Sequence, residues 1–415
     1  MFTVMGFWTL NYLTDTVGLS AALAGTAVMI GKIWDAVTDP VMGYISDRTK
    51  TRWGRRRPYL LFGALPVILA MWFFFTTPAI ENTATLMIWA ILALMLLNTA
   101  MTFITVPYSS LTPDLTSDYH EQSSLNGYRF GCAVFGTLAG AALVLPIVGM
   151  FPTAREGFSM MGLILGSVIA VTSILTFFGT KERVIVNPEI LKKGFFETYK
   201  AVFSNRPYLI LLGSYALHLI AITFLQNILV FYTQNIYQDP DLTTSALLAL
   251  LLVAMVFIPI SVLVSKKIGK RRTYQICFVI LSSACLLIFA LGHILGSNFF
   301  LAMMFYAGIG VGFSYVAPFA MIPDTIEYKS GKTGERNEGA YYGIWTFISK
   351  TGQSFSVFLS GIILSIGGYV ADAIQTPESL IAIRIIIGPL PAVIFIGAII
   401  LIQRYPLDAQ NYRKT

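Results

Sequence analysis

Apolar stretches about as long as a membrane-spanning helix recur almost from end to end of this sequence. Of its 415 residues, 56% are hydrophobic and only 12% are charged, whereas soluble globular proteins carry about 25% charged residues. About 20 apolar residues in a helix cross a bilayer core. The pattern therefore predicts an all-α integral membrane protein of about twelve transmembrane helices, near residues 2–17, 20–46, 58–78, 84–109, 127–152, 157–180, 206–233, 242–265, 273–294, 297–323, 341–368 and 380–403.

The first predicted helix is short. Only the stretch from Phe2 to Leu13 precedes Thr14 and Asp15, which is fewer residues than a membrane crossing needs. We therefore expect a first helix that is truncated at its cytoplasmic end.

The distribution of positive charge predicts the topology. Most of the 28 lysines and arginines fall in alternate loops and in the C-terminal tail, and cytoplasmic loops carry such an excess. Both termini are therefore expected in the cytoplasm, in a multi-pass protein of the cell inner membrane. Because the net charge of +7 follows this topology, the lipid bilayer is the expected partner and nucleic acid is not.

The chain also reads as a duplication. Its longest connection divides the predicted helices six and six, giving an N-terminal bundle (1–180), a cytoplasmic linker (181–205) with a short interfacial helix, and a C-terminal bundle (206–415). Three motifs of the first half recur in order in the second: "GRRRPYLLFG" as "GKRRTYQICF", "PYSSLTPD" as "PFAMIPD", and "NGYRFG" as "EGAYYG". Parallel six-helix repeats predict a major facilitator fold, with a substrate cavity between the bundles.

Two acids lie deep in the second predicted helix, where an ionised side chain costs at least about 2.5 kcal/mol. Asp35 and Asp39 are one turn apart on one helix face, with Lys32 one turn before them. Two anions and one cation leave a local charge near −1, which suits one Na⁺, Li⁺ or proton, and Thr38 adds a hydroxyl oxygen. The alternative is an ion-pair network that only holds helices together.

A cluster of cations follows the same helix in "DRTKTRWGRRRP". Asp47, Arg48, Gly54, Arg55 and Arg57 are candidates for a salt-bridged gate on the cytoplasmic side. Simple anchoring of the helix end remains the alternative.

Lys350 lies about ten residues into the eleventh predicted helix. This depth, about 15 Å, is too great for easy snorkelling to the interface. We expect Lys350 to face the cavity and to pair with the acids when the site holds no cation.

Five motifs together resemble one known family: "KIWDAVTDPVMG", "DRTKTRWGRRRPY", "PDTIEY", "TGERNEGAYYGIW" and "FISKTGQ". They are similar to those of the glycoside-pentoside-hexuronide:cation symporters, the melibiose-permease-like branch of the major facilitator superfamily. The resemblance implies that Asp35 and Asp39 bind the coupling cation, assisted by Thr38 and Thr102, with Lys350 tied to the same site.

For the substrate, the resemblance implies that Arg129 of the fifth helix reaches toward a sugar. Melibiose-type members place an acid in the fourth helix where this chain has Thr105, and another in the first helix at a position that would precede Met1. Ser109 completes the set of candidate substrate contacts. The cation half of the family pattern is therefore better matched than the sugar half.

We thus predict a secondary transporter, acting as a monomer, that couples a small sugar or glycoside to Na⁺ or H⁺ by alternating access. No nucleophile with a base, metal-ligand cluster or soluble domain is visible in the sequence, so neither an enzyme nor a cofactor beyond the coupling ion is expected. The alternatives are a transporter or exporter of an amphiphilic or lipid-like solute, and a non-transporting sensor or membrane enzyme.

Overall fold

A computed structural model describes residues 2–111, 115, 119–182, 202–333, 338–371 and 373–407. Within these ranges the regular secondary structure is helical, without strands, and nine segments are long and apolar enough to cross a membrane. The longest, Lys270–Gly331, holds two helices, and the backbone is kinked at Gly296 near the start of the second. Gly296 has a φ of +77°, which glycine adopts without the steric cost that a side chain brings. Counting these two separately, and adding the short first helix and the fifth, gives twelve helical segments in the described chain, as predicted.

The chain forms two compact units, Met1–Leu191 and Lys192–Thr415. The division falls inside the predicted linker 181–205. The interfacial helix predicted there lies largely outside the described residues, because the description stops at residue 182 and resumes at residue 202.

The described part of the first unit contains six helical segments. They are α1, Phe2–Asn11 with a π-helical turn at Tyr12–Thr16; α2, Ala21–Arg48; α3, Arg57–Phe62 and Ala64–Phe75; α4, Thr83–Ser109; α5, Tyr119–Ala142 and Val144–Gly149; and α6, Ala154–Gly179.

The other six lie in the residues of the second unit that the structure describes. They are α7, Arg206–Ile236; α8, Asp241–Ile268; α9, Lys270–Leu287 with a π-helical turn at Ile288–Gly292; α10, His293–Thr333; α11, Glu338–Ile366; and α12, Pro377–Ile387 and Pro389–Ile402.

The same helix pairs pack together in both units. In the first unit α2 packs on α4, α3 on α6 and α1 on α5; in the second unit α8 packs on α10, α9 on α12 and α7 on α11. Each pair of the second unit is a pair of the first displaced by six helices. This correspondence supports the duplicated six-helix repeat that the paired motifs indicate.

Candidate functional site

The two acids of α2 converge on one hydroxyl of α4. The Oγ1 of Thr102 lies 2.8 Å from Oδ1 of Asp35 and 3.0 Å from Oδ1 of Asp39. Thr102 is 3% exposed, and both acids are half-buried. A hydroxyl has a single hydrogen, so Thr102 donates to one carboxylate at a time. Its oxygen nevertheless lies within hydrogen-bonding distance of both.

A glycine brings α2 close enough to α4 for this arrangement. Gly31 lies one turn before Asp35, and a Cβ added to it would stand 2.9 Å from the Cβ of Leu94 on α4. Small residues at such crossings let two membrane helices approach closely. The close approach at Gly31 therefore helps to place Thr102 against the acid pair.

Two further oxygens belong to the same stretch of α2. The Oγ1 of Thr38 donates to the backbone carbonyl of Asp35 at 3.2 Å, which leaves its lone pairs to accept or to coordinate. Pro40 lies inside the helix, and because proline has no N–H, the carbonyl of Ala36 lacks its usual helical donor. Carboxylate, hydroxyl and carbonyl oxygens are the ligands that hard cations prefer.

The two lysines predicted for the cation site lie in different units. Lys32 is half-buried on α2, one turn before Asp35. Lys350 is half-buried on α11 of the second unit. The pairing of Lys350 with the acids stays a prediction.

The candidate substrate residues of the first unit follow one face of α4. Thr102, Thr105 and Ser109 have the spacing i, i+3, i+7, which places them on the same side of a helix. Arg129 of α5 joins them, because its Nη1 donates to the backbone carbonyl of Ser109 at 3.2 Å. Its guanidinium also lies 5.0 Å from the centre of the Tyr108 ring. Thr102 of the candidate cation site and the substrate candidates Thr105 and Ser109 thus share one face of α4, and Arg129 of α5 binds the end of that helix.

A carboxylate that was not among the predicted gate residues lies against the α2–α3 loop. Glu182, just after α6, accepts backbone N–H donation from Arg55 and Arg56 at 2.8 Å and from Arg57 at 3.0 Å. These groups lie at the N-terminus of α3, where the helix dipole favours an anion. Gly54 has a φ of +104°, and a Cβ there would stand 2.5 Å from the carboxylate of Glu182. Position 54 therefore requires glycine, both because its φ is positive and because a side chain would collide with Glu182.

The other gate candidates bind neutral groups. The Nη2 of Arg57 donates to the backbone carbonyl of Phe177 at 2.6 Å, near the end of α6. The guanidinium of Arg48 lies 3.7 Å from the centre of the Tyr44 ring. The side chain of Asp47 lies outside the described residues. The Arg57 contact binds the start of α3 to α6, whereas the Arg48 contact lies within α2. The role of the α2–α3 loop as a gate stays a prediction.

Two further contacts between α2 and α4 were not foreseen. The Nδ2 of Asn98 donates to the carbonyl of Gly31 at 2.8 Å, and the Nε1 of Trp34 donates to the Oγ1 of Thr99 at 2.9 Å. The signal in the sequence was an amide within the apolar run "ALMLLNTAMTF". A polar side chain at membrane depth marks either function or helix–helix hydrogen bonding.

The chain is similar to known membrane transporters over nearly its whole length. The family model described as MFS/sugar transport protein matches residues 1–409. The uncharacterized symporter YnaJ of Bacillus subtilis is 32% identical over 100% of this chain and 90% of its own length. The isoprimeverose transporter of Lactiplantibacillus pentosus is 28% identical, over 98% and 85%. The sodium-dependent lysophosphatidylcholine symporter 1-A of Danio rerio is 25% identical, over 99% and 83%.

Among solved structures, the chain is similar to a crystal structure of a variant of the nucleoside transporter NupG. The TM-score is 0.69, the identity is 11%, and the match covers 96% of each chain. At this identity the likeness bears on the fold alone, which agrees with the predicted two-bundle architecture.

Proposed function

This chain belongs to the MFS/sugar transport family, so it is a multi-pass membrane transporter of the sugar-symporter class and not an enzyme. We propose that it takes up a glycoside, that a cation gradient across the membrane drives this uptake, and that the cation binds at Asp35 and Asp39. The observation that carries the cation site is the Thr102 hydroxyl, which lies within 3.0 Å of both carboxylates. The proposed coupling ion is Na⁺ or H⁺, with Li⁺ as a substitute for Na⁺.

In the proposed mechanism one cation, added to the positive charge of Lys32, neutralises the two carboxylates before the solute is carried. Carboxylate, hydroxyl and carbonyl oxygens from Asp35, Asp39, Thr102 and Thr38 replace the water of a hard cation, while a proton needs one carboxylate oxygen only. Both ligands favour the same occluded state, so each raises the affinity for the other by an equal factor. Lys350 keeps its predicted role: it pairs with the acids while the site holds no cation, and it is released when a cation binds.

The solute is proposed to bind on the α4 face that continues from the cation site. Arg129 supplies several N–H donors in a fixed plane, which suits sugar hydroxyls or the carboxylate of an acidic sugar. Thr105 and Ser109 add hydroxyl groups that donate and accept. The relative named for isoprimeverose transport supports a glycoside as the cargo. We place the protein in the cell inner membrane as a monomer, with both termini in the cytoplasm.

Uptake into membrane vesicles tests this proposal. A panel of labelled sugars and glycosides is offered under an imposed Na⁺ gradient, an imposed pH gradient, or neither. We expect at least one sugar to accumulate only when a cation gradient is present. The double variant Asp35→Asn with Asp39→Asn should abolish that accumulation, and uphill uptake that survives it would contradict the cation site.

A second candidate cargo is an amphiphile. It is favoured by the similarity to the sodium-dependent lysophosphatidylcholine symporter 1-A and by threonine in place of the fourth-helix acid at Thr105. A labelled lysophospholipid in the same panel distinguishes the two. Its cation-driven uptake, with no sugar accumulated, would replace the glycoside while retaining the cation site.

A further inference from the structure

Three successive polar contacts join α2 to α4, and the cation site is only the last of them. Moving along α4, Asn98 binds Gly31, Thr99 binds Trp34, and Thr102 binds the acid pair. Neither of the first two contacts supplies an oxygen that binds the cation in the proposed mechanism. They lie instead within one turn of the groups that do.

The contact of Asn98 bears directly on Asp35. The carbonyl of Gly31, which receives the amide of Asn98 at 2.8 Å, is also the helical acceptor for the N–H of Asp35 four residues later. The amide therefore holds the turn of α2 that carries the first acid. Because a Cβ at Gly31 would also stand 2.9 Å from the Cβ of Leu94, the hydrogen bond and the close packing act at the same residue of α2.

The contact of Trp34 has a defined direction. The Oγ1 of Thr99 donates its hydrogen to the carbonyl of Met95 at 2.7 Å, so its lone pair accepts the N–H of Trp34 at 2.9 Å. An indole only donates and a hydroxyl has only one hydrogen, so both groups are satisfied in this arrangement. Trp34 directly precedes Asp35, and Thr99 lies one turn before Thr102. The pair therefore links the residue next to the acid with the turn next to its hydroxyl partner.

We propose that Asn98 and Trp34 are positioning residues that make the acid pair and Thr102 a Na⁺ site rather than a proton site alone. This inference rests on the proposed function. A hard cation needs several oxygens held at fixed distances, whereas a proton binds to a single carboxylate oxygen. If α2 shifts against α4, the carboxylates still take up a proton, but the hydroxyl of Thr102 no longer closes around a cation.

The test is Na⁺ binding to the purified protein in nanodiscs, measured by calorimetry at pH 8 and at pH 6. Asn98→Leu keeps the approximate side-chain size and removes the donor, and Trp34→Phe keeps an aromatic ring without an N–H. Asn98→Gln restores an amide. The matched control is Asn82→Ala, which removes the N-terminal cap of the same helix, where Oδ1 of Asn82 accepts the N–H of Thr85 at 3.0 Å, about four helical turns before Asn98.

We expect Asn98→Leu to raise the Kd for Na⁺ about tenfold, the size of one lost hydrogen bond, and Trp34→Phe to raise it about threefold or more. The ratio of Kd values between pH 6 and pH 8, which reports competition by protons, should stay as in the wild type, and Asn98→Gln should recover part of the affinity. Asn82→Ala should lower the thermal unfolding midpoint without changing the Kd.

Wild-type Na⁺ affinity in both Asn98→Leu and Trp34→Phe would overturn the inference and leave the proposed symport intact. A wild-type protein that binds no Na⁺ at pH 8 but accumulates a sugar on a pH gradient would do the same. If Asn98→Leu does not fold, Trp34→Phe decides the question alone. A loss of affinity that merely follows lost thermal stability in every variant, the Asn82 control included, would also overturn it.

Discussion

Replacing Thr102 by valine removes one hydroxyl from the centre of the candidate cation site and keeps its shape. The hydroxyl lies 2.8 Å from Asp35 and 3.0 Å from Asp39, and a hydrogen bond to a charged group contributes about 1.5–3 kcal/mol. In the wild type the cation gains the Thr102 oxygen as a ligand, but the empty site gives up its hydrogen bond to a carboxylate. Since these two effects oppose each other, the lower end applies, and the affinity for the cation should fall about tenfold.

The assay is solute uptake into vesicles as a function of the external Na⁺ concentration, because only a metal cation gains the Thr102 oxygen as a ligand. Thr102→Val should shift the half-saturating concentration upward about tenfold, while Thr102→Ser, which keeps a hydroxyl, should stay within about threefold. Thr26→Val is the matched control, because the hydroxyl of Thr26 on α2 donates to the carbonyl of Ala22 in its own helix. An unchanged cation dependence in Thr102→Val, or an equal shift in Thr26→Val, would refute the reasoning.

Three further predictions concern other parts of the molecule. Glu182→Ala leaves three backbone N–H groups at the start of α3 without their acceptor, so the thermal unfolding midpoint of the purified protein should fall by several degrees, and an unchanged midpoint would contradict this. Lys270 of α9 forms an ion pair with Asp324 of α10 at 2.7 Å, and the two side chains are 41% and 24% exposed. Lys270→Met and Asp324→Asn, combined in a double-mutant cycle of unfolding free energies, should therefore show coupling below about 1 kcal/mol, and stronger coupling would contradict that view. Arg129→Gln should raise the half-saturating solute concentration at least tenfold and leave the half-saturating cation concentration unchanged, as measured by uptake at saturating concentrations of the other ligand.

The hydropathy of the sequence predicts the helices well because each must fill the bilayer with apolar residues. It predicts their ends less well wherever a helix continues into polar sequence. The fifth helix was expected near 127–152 but begins at Tyr119, and the tenth was expected to end near 323 but continues to Thr333. Both extensions are polar, so a hydropathy window does not include them.

The sequence also did not predict the local irregularities of the helical backbone. The π-helical turns at Tyr12–Thr16 and Ile288–Gly292 add one residue to a helical turn without leaving a periodic signal in composition. Such turns are set by tertiary packing, which a single sequence does not report.

The acid pair could be predicted from the sequence because charge at membrane depth is costly and therefore conspicuous. The partners of these acids were harder to predict, because residues such as Asn98 and Trp34 act through a neighbouring helix. Their contact depends on the crossing of α2 and α4 at Gly31, which is a feature of packing. Glu182 was missed for a related reason, since its three N–H donors lie in the backbone of a distant loop.

The central claim is that cation and solute move together through the site at Asp35 and Asp39. The most direct test uses vesicles without a cation gradient and records Na⁺ and H⁺ with ion-selective electrodes while the identified solute is added outside. We predict that the inward solute gradient drives one of these cations into the vesicles, and that Asp35→Asn with Asp39→Asn abolishes this cation influx. Solute entry with no movement of either cation, or cation influx that persists in the double variant, would contradict the account.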